Sequence, residues 1–533
     1  MQTNHTKTGQ TLLMTIVAFI SALLTACSPS LPEGAEQCPR KPHLSVDNDS
    51  AVLPPNIAPM NFRIEEPGDD YLCHLWSPAD REGLVVEGPS ISIDEDAWHA
   101  LLQASKGKTL HCDIYVKADG KWRQYQSVIN DIAPDDIDPY ITYRLIEPGY
   151  VDYEEMSINQ RSLSSFEERQ VYNNMMVSDG DKGQCVNCHI PRNYNRDERS
   201  MFHARQFQGG TVFIQGNQVS KVNLKTDSTL SAGVYPAWHP SKNLIAYSVN
   251  ETGQVFHTRD PQKVEVLDFA SDLILYDIDR NRVYDIDKRK DEFESFPAWS
   301  PDGQTLYYVS AHYEQQTDNI DAELDECYQQ LKYNIYCRRF DSRTMRFGDR
   351  QLVFDAAATG KSAAFPRVSP DGRYLLFSLG DYGQFHVWHK SGDLWALDLK
   401  TGKAAALTEA NSDKTESYHT WSSNGRWILY TSRRGDGNYT RLYMAYFDRQ
   451  GRVHKPFLLP QEDPDYYQNL FKSYNTPEFL VRPVKASINE LARGICREAK
   501  PAHYGGSALL HPESGYNVTR ADSLPSSRET VAY

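Results

Sequence analysis

Beyond residue 26 the chain has no apolar run of the ~18 residues that a membrane-crossing helix needs. No such span is expected in the body of the protein. Basic residues are in deficit, with 56 Lys and Arg against 71 Asp and Glu and a formal net charge of −15. An acidic body repels phosphate backbones and anionic headgroups, which excludes nucleic acid as a partner. It would suit a basic redox partner such as a small cytochrome, although acidity is also the ordinary route to solubility. No Gly-x-Ser-x-Gly elbow is present, and fewer than 80 residues follow the last repeat described below, too few for a hydrolase domain. The run Asp277-Ile278-Asp279-Arg280-Asn281 begins like a calcium loop but lacks Gly at its sixth position and has Lys288 at its twelfth. The acidic stretch Asp318 to Glu326 reads as a solvated loop.

Cysteine is also scarce, nine in 533 residues, and two of the nine lie in Cys185-Val186-Asn187-Cys188-His189. Cys-x-x-Cys-His is the attachment pattern of haem c: one tight turn presents both thiols to one edge of the macrocycle, and the next side chain is an axial iron ligand. Other chemistries stay open. A thioredoxin-like pair should follow a strand and open a helix, which the flanking QCVNCHIPRNYNRDE does not resemble. A zinc site with His203 as fourth ligand has a longer gap than finger spacing. For a haem iron, His203 and Met201 are near-equal candidates for the second axial position, with Met175 and Met176 as alternatives; an open position would admit peroxide or gas chemistry.

The first 26 residues form an export signal, with Lys7 in the charged region and an apolar run from Thr11 to Leu24. Leu24-Thr25-Ala26-Cys27 resembles the bacterial lipoprotein lipobox. That resemblance implies a lipid on Cys27, and Ser28 after it implies an outer-membrane location facing the periplasm. Haem c is attached outside the cytoplasm, so leader and haem motif agree. Residues 27–55, rich in Pro, Ser and Asp, read as a tether. Residues 56–148 hold short strand signals such as YLCHLW, LHCDIYVKA and YITYRLI, which predict an immunoglobulin-like sandwich. Cys73 and Cys112 could face each other across it, Cys327 and Cys337 could close an insertion, and Cys38 and Cys496 could pair or stay free.

Residues 149–206 form the expected haem-binding segment. Ser164-Ser165-Phe166-Glu167-Glu168 predicts a capped helix reaching about Met176, half of a small cytochrome c-like unit. From residue 207 to 484 a repeat recurs. Val234-Tyr235-Pro236-Ala237-Trp238, Ser295-Phe296-Pro297-Ala298-Trp299-Ser300-Pro301-Asp302-Gly303, Ala364-Phe365-Pro366-Arg367-Val368-Ser369-Pro370-Asp371-Gly372 and Ser417-Tyr418-His419-Thr420-Trp421-Ser422-Ser423-Asn424-Gly425 each lead into an apolar strand. Pro fixes φ, Asp tolerates the bridge region and Gly supplies positive φ, so each unit is strand, turn, strand, then a second hairpin. Such units stack into a β-propeller.

These repeats resemble those of the TolB-like propeller family, departing from it at Ser241-Lys242, Val368 and Ser423. TVFIQ and VSKVNL read as an orphan hairpin completed by SYNTPEFLVR, giving four full blades and a composite one. Residues 485–533 read as one helix, KASINELARGICREA, and a loose tail from Lys500. The whole arrangement, with lipobox, QCVNCH, MFHARQFQGGT and propeller, resembles exported Bacteroidetes-type lipoproteins with one haem motif. The expected fold is therefore mainly β, with a sandwich, a short helical haem segment and a TolB-like propeller. The expected function is a membrane-anchored monohaem electron carrier, more a matter of electron transfer or binding than of catalysis. The alternatives are a propeller scaffold for a protein or glycan with a structural or sensory haem, and a peroxidase-like or gas-sensing haem protein.

Overall fold

The computed structural model describes residues 30–147, 153–180, 182–257, 259 and 262–511. The expected leader and lipidated Cys27 lie outside them. No helix among the described residues is long and apolar enough to cross a membrane.

Six four-stranded blades form the body. The first is composite: Tyr140–Ile146, Ser157–Ser162 and Glu168–Asn173 run outward from an innermost strand, Ser473–Leu480, supplied by the far end of the chain. The second contains Gln184–Pro191, Arg199–Gln206, Gly210–Gln215 and Gln218–Asn223. The third starts at Val234–Trp238, the fourth at Glu292–Trp299, the fifth at Ser362–Val368 and the sixth at Glu416–Trp421. The third and fourth are joined into one sheet where Ser271 pairs with Phe293. The innermost strands touch in cyclic order, and the ring closes between Gln184–Pro191 and Ser473–Leu480.

One local device recurs in all six innermost strands. Cys188, Tyr235, Phe296, Phe365, Tyr418 and Thr476 each sit at positive φ, between 41° and 53°, where the pairing register shifts by a bulge. The next residue is Pro236, Pro297, Pro366 or Pro477 in four blades and a histidine, His189 or His419, in two. Proline tolerates a bulge because no ladder hydrogen bond is asked of it. A non-glycine residue at positive φ costs about 1–3 kcal/mol. Contacts between successive blades offset it, with ring centroids of Tyr235–Phe296 at 4.3 Å, Phe296–Phe365 at 4.4 Å and Phe365–Tyr418 at 4.9 Å.

The tryptophan of the repeat latches blade to blade. Trp299 Nε1 donates to Ala237 O at 3.1 Å, Trp421 Nε1 to Arg367 O at 3.1 Å and Trp238 Nε1 to Ile190 O at 3.4 Å. Each acceptor lies two residues past a bulge, so Ile190 of the Cys-x-x-Cys-His strand is used as the other blades use theirs. Val368 has no such donor. At the turns, Ser300 and Ser422 donate to Asp302 and Asn424 at 2.5 and 2.7 Å, so Asn424 preserves the geometry despite its departure from the repeat. A Cβ on Gly303 would lie 2.4 Å from the His239 ring, which is why that turn is closed by glycine.

Several expectations are corrected. The N-terminal region holds a seven-stranded sheet, a two-stranded pair of Phe62–Arg63 with Ser90–Ile91 and the helix Glu95–Ala104, rather than an immunoglobulin-like sandwich. Asp94 caps that helix, and Trp98, Leu101 and Leu102 pack it into a core shared with Trp427, Leu429 and Met444 of the sixth blade. YITYRLI belongs to the propeller. The expected tether contributes Glu36–Gln37 and Val52–Leu53 to the N-terminal sheet through parallel pairing. Cys73 and Cys112 are neighbours within that sheet, their sulfurs 3.5 Å apart and unbonded, and the other described cysteines are unpaired as well.

The predicted helix over 164–176 is the strand Glu168–Asn173 of the first blade, and the rest of the cytochrome-like segment supplies the inner half of the second. The orphan hairpin is that blade's outer half. The acidic loop carries a short helix, Ile320–Cys327. The C-terminal helix is Ile488–Ile495, closed by a capping box of Ser487 and Glu490. The tail beyond it is paired: Lys500–Pro501 and His503–Ser507 run parallel to the outer edges of the second and third blades.

Burial of His419 inside this ring has a pH consequence. Its imidazole is pushed down to about 3, chiefly by desolvation, as is that of His386. A histidine depressed when folded takes up its proton first in the unfolded chain. Each therefore removes up to about 1.4 kcal/mol per pH unit as pH falls below ~6.5. Asp268 and Asp393, raised to about 6, oppose this as pH falls from there toward 3.8. His419 Nε2 lies 2.7 Å from Phe365 O, a contact that a glutamine amide can replace. Urea unfolding of His419→Gln between pH 6.5 and 5 should lose stability less steeply than the wild type, by about 1.4 kcal/mol per unit; parallel slopes would contradict this.

Candidate functional site

The strand Gln184–Pro191 is pinned from its first residue. Gln184 accepts from Tyr172 OH at 2.6 Å and donates to Phe207 O at 2.7 Å. Val186 N donates to Asn174 Oδ1 at 2.8 Å, and Asn187 Oδ1 accepts both Cys188 N at 2.9 Å and Arg144 Nη1 at 2.7 Å. These bonds hold a Cys-x-x-Cys-His run extended rather than coiled into a small turn.

Cys185 packs on Ile146 and Met156 of the first blade. Cys188 occupies the bulge position, and its sulfur accepts Tyr235 N of the third blade at 3.4 Å. Burial pushes its thiol above the ordinary range. His189 holds the place that proline holds in four other blades. It is 7% exposed, and the backbone of Thr142 is the hydrogen-bond partner within reach of its ring. Burial, with Arg144 adding to it, lowers its pKa to about 3, so the ring is a neutral base at ordinary pH.

Arg144 was not foreseen. It is 4% exposed and reaches from the first blade to Val186 O at 3.2 Å, Asn187 Oδ1 at 2.7 Å and Asn475 Oδ1 at 3.0 Å, all neutral acceptors. Arg205, opposite Cys185 in the ladder, bears on both Cys188 and His203 electrostatically. Among the described residues neither arginine is in an ion pair. Nothing in the sequence joins Arg144 to a motif some forty residues later; only closure of the ring does.

The second-ligand candidates separate. Met201 faces Ile190 in the ladder, is buried between the second and third blades and accepts Tyr247 OH at 3.2 Å. His203 faces Asn187, is pushed down to about 3 by burial and has Thr211 Oγ1 3.2 Å from its Nδ1. Among the described residues no three His, Cys, Asp or Glu side chains converge closely enough to hold a metal ion, so the zinc set is not gathered.

As a donor set the centre fits a haem c. It offers two thiols outside any disulfide, a buried neutral imidazole, and two cations that are in no ion pair among the described residues.

Fold and centre together define a β-propeller carrying a buried Cys-x-x-Cys-His strand in its inner ring. No family model matches the chain, and no curated protein does. Similar solved structures include TolB from Acinetobacter baumannii, 12% identical over 72% of this chain and 85% of that one, TM-score 0.38. An oligogalacturonate lyase in complex with manganese is 12% identical over 78% and 99%, TM-score 0.28. The β-propeller domain of the Trilobed protease from Pyrococcus furiosus is 12% identical over 64% and 79%, TM-score 0.25. The architecture rests on the strand pairing, not on these likenesses.

Proposed function

We propose that this is an exported, lipid-anchored monohaem protein that carries single electrons in the bacterial envelope. Cys185 and Cys188 would hold the macrocycle as thioethers, His189 would be the proximal iron ligand, and Cys27 would bear the lipid. The observation that carries this reading is His189, a buried neutral imidazole beside two thiols outside any disulfide. Haem bound there would supply reversible one-electron chemistry. The chain's own residues would do the rest. Arg144 and Arg205 set positive charge beside the centre, which favours the more electron-rich state and raises the potential. His203 or Met201, each held by one hydrogen bond, would be the second residue to hold the group.

A second reading rests on another observation. Cys188 and His189 fill a bulge that Tyr235-Pro236 and its counterparts fill elsewhere. On that reading the strand is one more packing unit, and the propeller is a scaffold for a binding partner. Absorption spectra of protein produced with a cytochrome c maturation system separate the two. Haem c bands that sharpen on reduction and vanish in Cys185→Ala/Cys188→Ala support the electron carrier. Bands unchanged by carbon monoxide fit two occupied axial positions, and a strong carbon monoxide shift points to gas or peroxide chemistry. Absence of bands leaves the scaffold.

A further inference from the structure

Away from the cysteine strand, a cleft of about 970 Å³ opens between the second and third blades. The outer strands of the second blade form one wall, and the helix Ile488–Ile495 with the segment after it forms another. Its aromatic lining is the half-buried Trp238 and Phe213, set on the buried Tyr276. Phe213 meets Trp238 edge-on at 6.0 Å and stacks on Tyr276 at 6.1 Å. Gly494 lets the helix lie tight on the strand, since a Cβ there would be 2.3 Å from Val219 Cγ1. The wall is thereby fixed.

In a chain of net charge −15 this cleft is basic. Arg199, Lys221, Arg493, Arg497 and Lys500 line it against two acids, Asp279 and Glu490. Among the described residues none of the five cations is in an ion pair. Asp279 accepts from Asn243 at 2.8 Å, and Glu490 closes the helix cap with Arg493 bearing on it electrostatically. Lys221 is held by the carbonyls of Gln208 and Ile495, whereas Arg493, Arg497 and Lys500 stand exposed. Gln215, Asn217 and Gln218 add exposed amides.

We propose that this cleft binds an acidic oligosaccharide, a chain of uronic acid residues. Aromatic faces suit the apolar faces of pyranose rings, amides suit hydroxyls, and cations spread over separate elements suit carboxylates spaced one per sugar. A polyphosphate asks instead for N–H donors converging on one point, as at a glycine-rich loop. The site shares no residue with the cysteine centre and stands whether or not haem is bound there.

The test is calorimetric titration of the full-length protein with β-1,4-trimannuronate and, as matched neutral probe, β-1,4-mannotriose. Trimannuronate is expected to bind, mannotriose to bind at least about tenfold more weakly, and Arg493→Glu/Arg497→Glu to lose at least about tenfold for the acidic sugar with an unchanged melting curve. Both substituted residues are exposed, so the fold is not at stake. No binding of trimannuronate at millimolar concentration, equal binding by the double variant, or equal affinity for the neutral sugar would each overturn the proposal.

Discussion

A chain ending at Leu470 does not reach a folded state. The innermost strand of the first blade, Ser473–Leu480, pairs with Tyr140–Ile146 from Tyr140↔Leu480 to Ile146↔Ser473, so the two ends of the molecule close one sheet. Removing it uncovers Tyr143 from Tyr474, whose rings meet at 4.8 Å, and strips Arg144 of its Asn475 partner. It also removes Lys472, whose carbonyl accepts from Arg441. Tyr474, Phe479 and Leu480 are fully buried, and their burial alone is worth roughly 1.5–3 kcal/mol each. With the ladder bonds and the opened ring added, the loss is comparable to the ~5–15 kcal/mol by which whole domains are stable. Urea titration followed by near-ultraviolet circular dichroism should show no cooperative transition for the truncated chain. A sharp transition with the full-length denaturant dependence would contradict the shared-blade closure.

The second large effect is expected at a buried ion pair between the third and fourth blades. Asp287 and Arg338 are each 1% exposed and 2.8 Å apart, and Tyr308 OH donates to the same carboxylate at 2.6 Å. Forming such a pair yields little net stability because both ions are desolvated, but removing one partner leaves an uncompensated charge in the core. Asp287→Leu should therefore cost about 3–5 kcal/mol. Asp287→Leu/Arg338→Met should recover part of that loss, because Arg338 is then no longer stranded, while Arg289, whose Nε lies 3.5 Å from the same carboxylate, keeps its charge. A single substitution costing under about 1 kcal/mol, or a double variant no more stable than the single one, would show that the pair is not buried as described.

What could be read in the sequence follows from where the determining physics lies. The repeats were legible because Pro, Asp and Gly fix turn geometry within a few residues, and the strands that follow have nowhere to pack but on their neighbours. The haem segment misled on structure because its cues were local. Ser164 and Glu168 look like a helix start, yet Val171 and Tyr172 are claimed by the core between the first two blades, and Ser157–Ser162 offers the segment a ladder. Tertiary pairing outweighs helix propensity at that scale. The same holds for the blade number: Asn187-Cys188-His189 lacks the aromatic-proline signature, so its equivalence to Ser295-Phe296-Pro297 is visible only in the shared bulge.

The paired tail was missed because one of its residues acts by being small. A Cβ on Gly505 would lie 2.4 Å from the Tyr284 ring, an approach that no hydrophobic pattern announces. Arg144, the cation beside His189, sits in a strand read as part of another domain.

The measurement that bears most directly on the electron-carrier account is the intact mass of the mature protein, produced with its export and cytochrome c maturation machinery and denatured before analysis. The account predicts a single species heavier by one haem, with both Cys185 and Cys188 blocked to alkylation and the label restored in Cys185→Ala/Cys188→Ala only at unrelated cysteines. A product whose two sulfurs both take up the alkylating reagent, with no added haem mass, would contradict it.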